Sequence, residues 1–116
     1  MPANAASGEP LVRLAELEID PMHLAAYRQH LAEEIEASVS MEPGVLALYA
    51  VSEKDDPTRV RIVEVYADRS AYEAHLMAPH FLSYKSSTAS MVRSLRLIEA
   101  DPILLRAKSA EQRNRR

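Results

Sequence analysis

The chain has 116 residues, a net charge of −3 and 47% hydrophobic residues, a balance typical of one globular domain. It contains two glycines and no cysteine. Phosphate-cradling loops need several glycines, and disulfides, iron–sulfur clusters and thiolate zinc sites need cysteine, so the composition excludes all of these.

The positive charge is concentrated at the C-terminal end. Residues 106–116 contain five basic residues and one acidic residue, which leaves an acidic body unlike a nucleic-acid-binding surface. No apolar run approaches the ~20 residues of a membrane span, and Met1–Pro10 lacks a signal-peptide pattern. We therefore expect a cytoplasmic protein that binds neither nucleic acid nor membrane, with a disordered tail over 1–10, one domain over 11–105 and a basic tail over 106–116.

The first half of the chain predicts a strand, a helix and a second strand. Leu11–Ile19 is apolar with partial alternation, and Asp20 and Pro21 follow as the N-cap and first-turn proline of a helix. Apolar residues then recur at spacings of three and four until the Glu-Pro-Gly sequence at 42–44, which ends the helix. Val45–Ser52 predicts the second strand, and a polar turn follows over 53–58.

The second half repeats this order. Val60–Ala67 predicts a third strand, and Asp68 is placed to cap a helix that Pro79 breaks or restarts, up to about Val92. Leu95–Glu99 begins a fourth strand, which Ile103–Leu105 could continue.

An internal repeat predicts the fold. Overlaying Glu16–Asp20 on Glu64–Asp68 places a carboxylate four residues before a helix cap in both halves, so each half resembles one split β-α-β unit. Two such units form a four-stranded antiparallel sheet with both helices on one face, an α+β fold.

Both faces of the sheet are predicted to be apolar. In the third strand, Val63 and Val65 point to one face and Ile62 to the other. In the second strand, one face carries Val45, Ala47, Tyr49 and Val51, and the other carries Leu46, Leu48 and Ala50. The helices can cover only one face. We therefore expect the other face to pack against the same face of a second copy, giving a homodimer.

His75 and Glu64 are the candidate catalytic residues. His75 shares the apolar face of a short helix with Tyr72, and a buried imidazole needs a partner such as Glu64, Tyr66 or Tyr49. It could be a structural histidine or a general base. Glu64 stands between two valines, where burial would raise its pKa and suit it to proton transfer, or it could pair with a nearby arginine.

A stripe of four residues on the first helix carries two histidines and a glutamate. His23, Tyr27, His30 and Glu34 share one flank, but the two histidines are two turns, about 10 Å, apart. We expect a solvated flank there, and no metal site.

Residues 64–81 (EVYADRSAYEAHLMAPHF) resemble the signature of the antibiotic biosynthesis monooxygenase family, and the Glu-Pro-Gly turn at 42–44 extends the likeness. The resemblance implies a ferredoxin-like fold that forms a dimeric α+β barrel. It also implies oxidation of a small electron-rich phenol or quinol by O₂ without a cofactor or metal.

The resemblance assigns roles to several of these residues. His75 orients or deprotonates the phenol, and Glu64 polarises the imidazole. The predicted substrate-binding residues are Tyr66, Tyr72, Tyr49, His80 and Phe81.

Two other functions remain open. One is a non-redox isomerase or lyase on the same barrel that acts on a small carbonyl compound, with or without a phosphate. The other is a dimer that binds a small molecule without chemistry. An anionic substrate would need Arg13, Arg61 or Lys85, whereas a flat quinol needs aromatic walls.

Overall fold

The computed structural model describes residues 9–114 of the chain. In chain order the elements are β1 (Leu11–Ile19), a 3₁₀ turn (Pro21–His23), α1 (Leu24–Met41), β2 (Val45–Ser52), β3 (Arg59–Tyr66), α2 (Arg69–Leu76), α3 (Pro79–Thr88), β4 (Val92–Ala100) and α4 (Ala110–Asn114).

The four strands form one sheet in the order β2-β3-β1-β4, and every neighbouring pair is antiparallel. The two outer strands are β2 and β4, and the helices α1, α2 and α3 lie on one face. This is the ferredoxin-like α+β architecture predicted from the repeat. Hereafter the face that carries the helices is the helix face, and the other is the open face.

Side chains at the helix starts explain where the helices begin. Oδ1 of Asp20 accepts a hydrogen bond from the Met22 backbone amide at 3.0 Å, and Pro21 opens the 3₁₀ turn that leads into α1. Oδ1 of Asp68 accepts from the Ala71 amide at 2.8 Å and caps α2. Pro79 restarts the chain as α3, where its missing amide costs no hydrogen bond.

A β-bulge changes the predicted facing of β2. The register shifts between Val45 and Ala47, so that Val45 pairs with Tyr66 while Leu48 pairs with Glu64. Directly paired residues share a face, and Val45 therefore lies on the helix face with Leu48. Strict alternation predicts Val45 on the opposite face, and this prediction is wrong because alternation does not anticipate the extra residue of a bulge.

The core lies between the helix face and α1. Ala15, Leu17 and Ile19 of β1 pack there with residues of β3 and α1. Tyr27 is fully buried, and its hydroxyl lies 2.7 Å from that of Tyr84 on α3. This contact joins α1 to α3 beneath the surface.

The open face keeps apolar side chains in contact with solvent. Tyr49 is 58% exposed, Val51 63% and Val63 38%, although Val12 and Val65 on the same face are buried. We call Tyr49, Val51 and Val63 the open-face patch.

The C-terminal part departs from the sequence prediction. β4 begins at Val92, earlier than predicted, and ends at Ala100. Residues 103–105 do not extend it; Ile103 and Leu104 are 101% and 74% exposed. Helix α4 lies within the predicted basic tail, while residues 1–8 of the predicted N-terminal tail lie outside the described residues.

Between residues 9 and 114, no helix is both long and apolar enough to cross a bilayer.

Candidate active site

A cavity of about 510 Å³ lies between the helix face and the helices. Its floor comes from all four strands, and its walls come from α1, α2 and α3. Aromatic rings form much of the wall, namely those of Tyr66, Tyr72, Phe81 and Tyr84. A cavity of this size and character suits a small, flat organic molecule.

His75 lies in the wall of this cavity and is only 3% exposed. Its Nδ1 atom lies 3.0 Å from Oε2 of Glu42, within hydrogen-bond distance. Its Nε2 atom lies 3.4 Å from Oε1 of Glu34, which also lines the cavity. Glu42 does not line the cavity, so the imidazole presents Nε2 toward the cavity side and Nδ1 toward the protein.

Glu42 is the first residue after α1 and joins two histidines. Its Oε2 atom accepts from His75 and is also hydrogen-bonded to Nε2 of His80 on α3. Partial burial opposes ionisation of this carboxyl, but the hydrogen bonds from both histidines outweigh burial and lower the pKa of Glu42. The ionised carboxylate therefore fixes the orientation of His75.

A close backbone approach holds Glu42 in place. Gly44, two residues later, lies against Ala71 on α2, and a Cβ atom at Gly44 would overlap the Ala71 methyl. The Ala67 amide also donates to the Gly44 carbonyl at 2.8 Å. Glycine at this position lets the turn approach α2 closely enough for Glu42 to reach His75.

Glu34 is a buried carboxyl on the cavity side of His75. It is 6% exposed, and Ser38 donates a 2.7 Å hydrogen bond to it. Burial raises the pKa of Glu34, and the Ser38 hydrogen bond only partly offsets this effect.

Glu64 also lines the cavity, but it does not hydrogen-bond to His75. It accepts a 3.0 Å hydrogen bond from the Tyr66 hydroxyl, and burial raises the pKa of the Glu64 carboxyl. The pKa of Tyr66 is raised as well, by burial and by the adjacent Glu64 charge. The carboxylate that holds the imidazole is Glu42, in place of the Glu64 expected from the sequence.

The predicted substrate-binding residues separate into two groups. Tyr66, Tyr72 and Phe81 lie together in the cavity wall; the rings of Tyr66 and Tyr72 are 5.2 Å apart, and His75 and Phe81 are 4.7 Å apart between centroids. Tyr49 lies on the open face, because β2 alternates and Leu48 takes the cavity side. His80 lies behind Glu42 and does not line the cavity.

Comparison with known proteins assigns the family. The family model described as antibiotic biosynthesis monooxygenase matches residues 10–86, which include β1 to α2, most of α3 and every cavity residue of α1 and α2. The chain belongs to the antibiotic biosynthesis monooxygenase family. A search of curated proteins finds no match.

Solved structures agree with this membership. The chain is 48% identical to a candidate antibiotic biosynthesis monooxygenase from Bacteroides thetaiotaomicron, with a TM-score of 0.85 over 88% of this chain and 99% of the other. A candidate member from Nitrosomonas europaea is 22% identical, with a TM-score of 0.78 over 83% and 92% of the two chains. A third, from Caulobacter crescentus, is 17% identical, with a TM-score of 0.78 over 87% and 96%. The last two show the fold alone.

One cluster in this family member has the composition of a metal site. Ligand atoms of Glu42, His75 and His80 lie within 4.8 Å of one another, and two histidines with a carboxylate could bind a divalent cation.

The stripe predicted on the first helix is not such a cluster. Tyr27 and Glu34 of that stripe are buried, contrary to the expected solvated flank, while His23 is exposed.

Sequence reasoning missed Glu42 and Glu34 as site residues. The sequence indicates only that Glu42 belongs to a turn, and nothing local shows that the turn reaches α2. Glu34 follows the buried Leu31 by three residues on α1, so helical periodicity could have placed it on the buried side.

Proposed function

We propose that the protein is a cofactor-independent monooxygenase that oxidises a small electron-rich phenol or quinol with O₂. The observation that carries this proposal is the position of His75. Glu42 binds its Nδ1 atom at 3.0 Å, while Nε2 lies 3.4 Å from Glu34 in the wall of a cavity that has aromatic walls. A histidine held in this way by a carboxylate can accept a proton from a bound hydroxyl.

Deprotonation makes the substrate reactive toward O₂. Nε2 of His75 takes the phenol proton, and the ionised Glu42 stabilises the imidazolium that forms. The resulting phenolate transfers an electron to O₂, and the two radicals combine to form a carbon–oxygen bond at a ring carbon that carries hydrogen. The rings of Tyr66, Tyr72 and Phe81 hold the substrate plane while water is excluded.

The peroxide intermediate then breaks down. Loss of the proton from the ring carbon forms a carbonyl as the O–O bond breaks, and the departing hydroxide takes up a proton to become water. Phenol and O₂ thus yield quinone and water, with four electrons passing from the ring to O₂. Glu64 is placed in the cavity wall, and burial raises its pKa, so we assign it the ring proton.

An oxygen electrode tests this function directly. Protein treated with a chelator is surveyed against dihydroxynaphthalenes, naphthols and anthrols, and the product is analysed after reaction under ¹⁸O₂. We expect one labelled oxygen atom per product molecule and a fall in kcat of about 100-fold or more for His75→Ala. His23→Ala, an exposed histidine on the 3₁₀ turn, is the matched control and should keep full activity.

Two outcomes would overturn the proposal. One is that no substrate in the survey consumes O₂ above the background rate. The other is that His75→Ala keeps the wild-type rate. His75-dependent exchange of a carbonyl α-hydrogen in D₂O without O₂ uptake would instead support the non-redox isomerase or lyase.

We also propose that the protein is a homodimer joined through the open face. The open-face patch, Tyr49, Val51 and Val63, is apolar and solvent-exposed, and such a patch on a sheet suits a self-complementary interface. Sedimentation should give twice the 13.0 kDa chain mass, and Val51→Glu should give monomers. A monomeric wild-type protein at micromolar concentration would rule the interface out.

A further inference from the structure

Arg13, on β1, holds a buried nitrogen without a hydrogen-bond partner. Its side chain is 14% exposed and forms part of the cavity wall. Its Nε atom is buried, and none of the residues 9–114 accepts a hydrogen bond from it. Buried donors are almost always paired in folded proteins, so the Arg13 guanidinium keeps hydrogen-bonding capacity that residues 9–114 do not use.

The nearby carboxylates offset the charge of Arg13 only in part. Oε2 of Glu99 is 3.8 Å from Nη1 of Arg13, but the same oxygen accepts a hydrogen bond from Arg69. Glu64 faces Arg13 across the β1–β3 pair, yet its carboxylate binds the Tyr66 hydroxyl. Within the described part of the chain, no ion pair within 4.0 Å joins Arg13 to Glu64.

The cavity as a whole has an excess of positive charge. Lys85 and Arg93 line it together with Arg13, although Arg93 lies 3.5 Å from Asp20. Among the described residues, the wall contains only two acidic side chains, Glu34 and Glu64, against these three basic ones. A negatively charged ligand would offset this excess.

A row of aromatic rings connects Arg13 to the base. The Arg13 guanidinium carbon lies 4.6 Å from the centre of the Tyr72 ring, Tyr72 is 5.2 Å from Tyr66, and Tyr66 is 5.4 Å from the imidazole of His75. A fused-ring ligand lying along this row would have one end at Arg13 and the other at His75.

We infer that the substrate is a hydroxylated fused-ring aromatic acid, whose carboxylate binds Arg13 and whose hydroxyl reaches Nε2 of His75. This inference rests on the proposed function, because it takes the cavity to be the substrate site. A guanidinium matches the planar carboxylate through paired hydrogen bonds. Lys85 on α3 adds a second, more exposed positive charge at the same cavity.

Binding of non-oxidisable ligands tests this inference without any reaction. The probes are 2-naphthoate and 2-naphthamide, which share a shape and differ in charge, together with 2-naphthyl phosphate. Calorimetric titration at fixed ionic strength should give naphthoate a Kd at least about 10-fold lower than naphthamide, the ratio expected of a charge-assisted pair. Naphthyl phosphate should bind less tightly than naphthoate.

Variants assign the preference to Arg13. Arg13→Gln should remove the preference for naphthoate, and Arg13→Lys should restore part of it. Arg61→Gln is the matched control, because Arg61 pairs with Glu53 away from the cavity, and it should keep the full preference.

Several results would overturn the inference. These are equal affinity of the wild type for naphthoate and naphthamide, tighter binding of the phosphate, no binding of any probe, or an unchanged preference in Arg13→Gln. The wild-type comparison needs no variant to fold. Because no oxidation is measured, a failure here is distinct from a failure of the proposed monooxygenase, which the oxygen electrode reports.

Discussion

The Nδ1 atom of His75 and the Oε2 atom of Glu42 lie 3.0 Å apart, which joins the last turn of the fold's second helix to the turn that follows its first. Glu42 lies outside the cavity and reaches the reacting centre only through the imidazole. It is therefore a positioning residue. Its contribution should be visible in turnover and not in substrate binding.

Glu42→Gln should lower kcat by about 100-fold while KM changes by less than about threefold. The amide keeps an oxygen for the Nδ1 hydrogen but loses the charge that stabilises the imidazolium. Steady-state oxygen uptake gives both constants. Glu36→Gln, on an exposed part of α1, is the control, and an equal loss in that variant would contradict a specific role for Glu42.

The unfolding free energy of Glu64→Gln, relative to that of the wild type, should increase as pH rises. Burial raises the pKa of Glu64 in the folded state, so the folded protein holds this proton more tightly than the unfolded chain does. The stabilisation from that proton is complete below the unfolded pKa and is lost as pH rises through the folded pKa. The amide does not ionise and can still accept from Tyr66.

Urea unfolding at pH 4 and pH 7 measures this effect. The difference in unfolding free energy, variant minus wild type, should be more positive at pH 7. A difference independent of pH would show that Glu64 ionises as easily in the folded protein as in the unfolded chain.

Tyr84→Phe should destabilise the protein by about 1–3 kcal/mol, because it leaves the buried Tyr27 hydroxyl without its partner at 2.7 Å. The double variant Tyr27→Phe/Tyr84→Phe should cost less than the sum of the single variants. Chemical denaturation measures all three. Strict additivity would show that the hydroxyls do not interact.

Gly44→Ala should cost about 1–3 kcal/mol, because the new methyl would overlap that of Ala71. It should also lower kcat, since the displaced turn carries Glu42. Adding Ala71→Gly removes the overlap and should restore kcat and part of the stability, because glycine inside α2 itself costs about 1 kcal/mol. If the second substitution restored neither, the close approach of this turn to α2 would not be what places Glu42.

The parts of the fold that depend on local pattern could be predicted from the sequence. Both β1 and β2 have the predicted bounds, and Asp20 and Asp68 cap the elements assigned to them. Alternation and capping are set by neighbours along the chain, so a single sequence displays them. The bulge at the start of β2 was not predictable, because it depends on pairing with β3.

The site was only partly predictable for the same reason. His75 and three of the four aromatic cavity residues, Tyr66, Tyr72 and Phe81, lie in one continuous motif, so the sequence places them near one another, whereas Tyr84 lies outside that motif. Their partners come from a distant part of the chain: Glu42 is 33 residues before His75. Which of several carboxylates meets the imidazole depends on how α1 and α2 pack, and no local pattern encodes that choice.

The cavity's position beside β4 has a consequence for redesign. Because β4 is an edge strand, Leu95 and Leu97 in the cavity wall are 42% and 48% exposed. Neither side chain belongs to the buried core. Replacing these two leucines with smaller or larger residues would change the width of the cavity mouth at little cost in stability. Ligand size could thus be altered separately from the chemistry that His75 and Glu42 provide.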